Sequence, residues 1–131
     1  MARTNQGIFQ KRKDQFNQLM KKYETTINEY FTDDGWNPDC DIDRMFDFFY
    51  DANDIYVSSE KLIENLASLL EDVKFEMEKT KKQYIGFRDE AIAIKQDIMN
   101  KFNDCLQFID YFTEREEEMM NSYQIYRERD Y

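Results

Sequence analysis

A chain of 131 residues, 41% hydrophobic and 16% aromatic, can bury one modest core but not two, so residues 1–131 are read as a single helical domain. Its 28 acidic and 18 basic side chains leave a net charge of −10, which argues against direct binding of DNA or RNA through phosphate neutralisation. The chain has no histidine, which excludes Ser/His and Cys/His nucleophile systems, histidine-ligated zinc and the Glu-x-x-His pairs of di-iron bundles.

Helix breakers are scarce, with one proline, Pro38, and three glycines, Gly7, Gly35 and Gly86. The pattern predicts an all-α fold, an elongated three- or four-helix bundle with coiled-coil-like long helices. The first helix is predicted over about 8–31, where Phe9, Phe16, Tyr23 and Tyr30 recur every seven residues with Met20 and Ile27 between them. An acidic turn over 32–37 follows, with Gly35 as breaker, Asn37 as cap and Pro38 in the first turn of the next helix.

The second helix is predicted over about 38–54, burying Ile42, Met45, Phe46 and Phe49 at i, i+3, i+4, i+7. "NDIYVSS" reads as a link, with Ser58 or Ser59 capping a third helix over about 59–85 that buries Leu62, Leu66, Leu69, Val73, Met77 and Tyr84. Gly86 then marks either a kink or a fold-back before a fourth helix over about 87–128. That helix continues the apolar stripe through Ala91, Ile94, Ile98, Phe102, Cys105 and Ile109 to Phe112, Met119, Tyr123 and Tyr126. At about 1.5 Å per residue it would run roughly 60 Å, longer than a compact domain of this size, so part of it must pack on a long neighbour, another copy or a different protein.

"NPDCDIDRMFDFF" at 37–49 invites comparison with a calcium loop, since Asp39, Asp41 and Asp43 fall at ligand positions 1, 3 and 5. Arg44 stands where the loop needs glycine and Tyr50 where it needs a bidentate glutamate, so no metal site is assigned. Helical geometry accounts for the pattern better. Asp39 and Asp41 settle a helix start, and Asp43, Asp47, Asp51 and Asp54 gather within about 80° of one flank. Lys21, Lys22 and "KRK" at 11–13 are available to relieve their mutual repulsion. The candidate interaction surface is this acidic stripe, edged by Trp36, Phe48 and Tyr50 and suited to a basic protein surface.

"EREEE" at 114–118 lacks the companion carboxylates of a magnesium-dependent pyrophosphatase and reads as a solvated face. Cys40 and Cys105 are too few for a disulfide framework or a four-cysteine zinc site. No apolar run is long enough to span a bilayer, and the polar start lacks the apolar core of a secretory signal, so a cytoplasmic location away from membranes is expected. Abundant Phe, Tyr, Met, Ile, Asn and Lys suggest a low-GC genome, a bacteriophage among the sources that fit.

The expected function is that of a non-enzymatic assembly or adaptor protein, needing no cofactor, which works by helix packing, self-association and an acidic docking face. The alternative is an acidic phage-type inhibitor that blocks a nucleic-acid-binding enzyme by mimicking phosphate charge. A carboxylate-metal hydrolase is the weakest of the three.

Overall fold

The computed structural model describes the backbone of residues 2–129 and the side chains of residues 6–110. The chain is mostly helical. Three helices follow in order, α1 (Ala2–Tyr30), α2 (Ile42–Asp72) and α3 (Glu78–Arg129), with two short strands between the first two, β1 (Phe31–Thr32) and β2 (Gly35–Trp36). The strands pair antiparallel, Phe31 opposite Trp36 and Thr32 opposite Gly35.

Ring contacts set the directions of the helices. Near the start of α1, Phe9 stacks on Phe75, just past α2, at 5.2 Å and meets Tyr84, early in α3, at 5.5 Å. At the end of α1, Tyr30 meets Phe48, early in α2, at 5.5 Å. Thus α1 and α3 run parallel and touch directly, Phe16 stacking on Phe87 at 4.3 Å, while α2 runs antiparallel to both.

One stripe organises α2. Met45, Phe48, Ala52, Ile55, Ser59, Leu62, Leu66 and Leu69 are all buried, and steps of three and four keep them on a single helical face. Facing them are Tyr84, Ala91, Ile94, Ile98 and Cys105 of α3 and Phe16, Leu19 and Tyr30 of α1. Each large aliphatic side chain so buried contributes about 1.5–3 kcal/mol.

Three sequence expectations change. The break expected at "NDIYVSS" is absent, and α2 runs unbroken to Asp72. Ser59 is no cap: it is buried, and its hydroxyl donates to the Tyr56 carbonyl at 2.7 Å, a bond a mid-helix serine can make without ending the helix. The third and fourth helices do not part at Gly86, which lies exposed within α3, where an interior glycine costs about 1 kcal/mol but does not break the ladder. The chain turns at residues 73–77 instead. Val73 becomes extended (φ −111°, ψ 130°) while its N–H still bonds Leu69, and Phe75 is held by Phe9 and Tyr84.

The buried face at the start of α2 also differs. Phe46 points outward, 55% exposed, and Phe48 is fully buried in its place. A helix continuous from 42 to 72 must keep the phase of Leu62, Leu66 and Leu69, which puts 45, 48, 52 and 55 inside. Met77, expected inside, is exposed in the turn. On α1 and α3 the expected faces hold over the described residues. Phe9, Tyr23, Phe102 and Ile109 pack on the core, and Phe16, Tyr30, Ile94 and Ile98 are buried within it. The side chains of Phe112, Met119, Tyr123, Tyr126 and "EREEE" lie outside the described residues.

Candidate binding site at the hairpin end

The segment from Tyr30 to Ile42 is built to turn sharply. Asp33 and Asp34 link the two strands, and Gly35 sits at φ +121°, a backbone conformation that glycine adopts without strain. The Thr32 hydroxyl accepts from the Asp34 N–H at 3.3 Å. Asn37 does not cap a helix: its side-chain oxygen accepts from the Asp39 N–H at 3.0 Å, making a turn through Pro38. The helix cap is Asp41, whose carboxylate accepts from the Arg44 N–H at 3.0 Å.

Aromatic rings close this end of the molecule. Trp36 stacks on Tyr30 at 6.0 Å and meets Phe31 edge-on at 5.4 Å, while Phe48 inserts beneath all three. Trp36 Nε1 donates to the Cys40 carbonyl at 3.2 Å, which pins the loop over the ring. Beside this cluster lies an open groove of about 1190 Å³ between the hairpin, the start of α2 and the stretch of α3 around Cys105. Phe31, Trp36, Ile42, Met45 and Phe108 give it an apolar lining, and Asp34, Asp41 and Asp104 add carboxylates. Among the described residues its one basic side chain, Lys101, is already engaged, bonded to Asp97 at 2.8 Å and lying over the Phe31 ring at 5.6 Å.

Cys105 reaches the same groove, but burial, with Asp104 adding to it, pushes its thiol up to about 12. It therefore stays protonated at neutral pH and is no nucleophile. Among the described residues, no three Asp, Glu or Cys side chains come together as a metal ion would require. What the groove offers is an apolar surface with negative charge at hand.

The acidic stripe lies elsewhere on α2, toward α1, and is largely engaged by the chain itself. Asp54 pairs with Lys22 at 2.9 Å, Asp51 accepts the Tyr30 hydroxyl at 3.0 Å, and Asp47 sits 3.7 Å from Arg44. Arg44, 2.6 Å from Glu29 and 5.0 Å above the Tyr30 ring, ties α2 to α1. Asp43 and Tyr50 are exposed, and Trp36 is half-buried in the groove wall. Phe48, expected at the stripe's edge, lies wholly in the core and cannot meet a partner. Burial, reinforced by the bond to Asp51, pushes the Tyr30 hydroxyl up to about 12, and burial with Asp97 raises that of Tyr23 further. The groove residues Phe31, Lys101, Asp104 and Phe108 carry no local signal in the sequence, because only the return of α3 past the hairpin brings them to Trp36.

The chain matches no protein-family model, and comparison with curated proteins and with solved structures gives no match. No described helix is long and apolar enough to cross a membrane.

Proposed function

We propose that the chain is a non-enzymatic adaptor that takes a basic segment of a partner protein, anchored by an apolar side chain, into the groove at its hairpin end. One observation carries this reading: an open groove of about 1190 Å³ joins an aromatic lining to Asp34, Asp41 and Asp104, while its lysine is committed to Asp97. An anchor buried against Trp36 and Phe31 supplies affinity, and the carboxylates steer a cationic segment toward it. The finer architecture belongs to the same reading. At 52 residues α3 spans about 78 Å against about 46 Å for the 31 residues of α2, so a coiled-coil-like extension of an elongated bundle is available for assembly in the cytoplasm.

A second reading rests on charge at the same end. Asp33, Asp34, Asp39, Asp41, Asp43 and Asp47 are all exposed there, which favours an inhibitor that fills the phosphate-binding surface of a nucleic-acid enzyme.

Affinity capture from the native host tests both, using the wild type, Trp36→Ala and the double variant Asp34→Asn/Asp41→Asn side by side. A partner held by wild type and lost from both variants supports the groove. Capture that survives Trp36→Ala overturns it. Release of the partner by added DNA selects the inhibitor reading.

A further inference from the structure

We infer that a small anion of the phosphate class binds in a second cleft, of about 240 Å³, between the middles of α1 and α2. The observation is a set of hydrogen-bond donors in a chain where carboxylates prevail. From α1 the cleft takes Gln15, Gln18 and Lys22, and from α2 it takes Ser58 and Lys61. Steps of three and four put each set on one flank of its helix. Among the described residues, no Asp or Glu lines this cleft.

The carboxylates nearest to it are engaged or turned away. Asp54, one turn before Ser58, is paired with Lys22 at 2.9 Å, and Asp14, one turn before Gln18, accepts from Gln10 at 2.8 Å. Glu60 is drawn to Lys95 of α3 at 3.2 Å. Glu64 stands about 120° around α2 from Ser58. Residues 11–22 of α1 meanwhile hold five basic side chains against Asp14 alone. The local charge is therefore positive although the chain carries −10.

The donors identify the ligand. Lysine ammonium groups, amide NH2 groups and a hydroxyl can all donate to the oxygens of one anion. Arg12 donates to Gln15 Oε1 at 2.8 Å, which leaves the NH2 end of that amide to serve the cleft. Buried Leu19 and Leu62 close the base, where an anion's bonds to its donors are less screened than in water. At about 240 Å³ the space falls below the roughly 300–1,000 Å³ of sites for drug-sized ligands, so it suits a phosphoryl group rather than a whole cofactor. A phosphate there would compete with Asp54 for Lys22. This cleft shares no residue with the groove at the hairpin end, and neither proposal depends on the other.

Titration of the full chain with inorganic phosphate and with glycerol phosphate at constant ionic strength, followed by backbone amide NMR shifts, measures the binding. The wild type is expected to show saturable shifts confined to residues 15–22 and 58–62, half-complete at about 1–10 mM. Equal binding of the two probes assigns the free ion, and tighter binding of glycerol phosphate assigns an organic phosphate resting on Leu19 and Leu62. Lys61→Ala, at an exposed position, is expected to weaken binding about five- to tenfold. Asp54→Asn should strengthen it about two- to fivefold by releasing Lys22. Lys74→Ala, exposed at the far turn, should change nothing. Amide shifts of α3 that match those of the wild type show that each variant is folded. Absence of saturable shifts in the wild type overturns the inference. So does a Lys61→Ala chain that binds as well as the wild type, or an equal loss on Lys74→Ala, which would reduce the effect to an adventitious ion only.

Discussion

The two seams that hold α1, α2 and α3 together share one apolar core but differ in how much polar contact they carry. Between α2 and α3 the contact is mainly apolar, with the Lys95–Glu60 ion pair at its edge: Leu62, Leu66 and Leu69 lie in one core with Ala91, Ile94 and Ile98, and Phe49 meets Phe102 at 4.7 Å. Where α1 docks on this pair, polar contacts recur along its length: Tyr84 to the Phe9 carbonyl at 2.9 Å, Tyr23 to Asp97, Lys22 to Asp54 and Tyr30 to Asp51. Apolar seams supply most of the stability but tolerate sliding, whereas directional bonds add little energy and set the register. The difference teaches that α2 and α3 form the stable pair and that α1 is positioned on it by a ladder of tyrosine hydroxyls and charges.

The largest effect should come from breaking the apolar seam. Leu66→Ala leaves a cavity at a fully buried position and is expected to cost about 2–5 kcal/mol, read from chemical denaturation. Next comes alkaline pH, which attacks the buried hydroxyls and thiol together. Tyr23, Tyr30, Tyr84 and Cys105 all hold their protons more tightly in the folded chain, first because they are buried. Above the ordinary values of 9.0 for cysteine and 10.0 for tyrosine, the unfolded chain loses protons that the folded chain keeps, so stability must fall as pH rises. The melting temperature is expected to decline from about pH 9 through 12, and a flat profile there would contradict the burial of these groups.

Smaller effects test the polar seam. Tyr30→Phe keeps the ring between Trp36 and Phe48 but removes the bond to Asp51, and should cost about 1 kcal/mol. Its signature would be faster amide exchange at the end of α1 with α2 and α3 unchanged. Lys22→Ala removes an ion pair that is about half exposed on both sides and should change stability by less than about 0.5 kcal/mol, an effect that vanishes in high salt. A larger loss at Lys22 than at Tyr30 would reverse the order assigned to charges and hydroxyls.

Much of this was legible in the sequence where a long periodic run spoke for itself. The seven-residue spacing from Phe9 to Tyr30 and the stripe from Ala91 to Ile109 gave the inner faces of α1 and α3 directly. The start of α2 was misread for one physical reason. Ser58 and Ser59 carry the chemistry of a helix cap, and a break placed there cut residues 42–54 loose from the phase of Leu62, Leu66 and Leu69. Phe46 and Phe48 consequently exchanged roles. The true turn at 73–77 contains neither glycine nor proline, and Phe75 finds its partners in Phe9 and Tyr84, more than sixty and about nine residues away along the chain. The groove was hidden for a similar reason: Trp36 was singled out, but its companions on α3 are joined to it only by tertiary packing.

The claim that the hairpin end receives a partner protein is tested most directly by photocrosslinking in the native host, with a photoreactive residue in place of Gln107 on the groove or of Ser68 on the distant, exposed end of α2. The expected result is a discrete adduct with a second protein from position 107 and none from position 68. Equal labelling at both positions, or no adduct at position 107, would contradict the groove as a binding site.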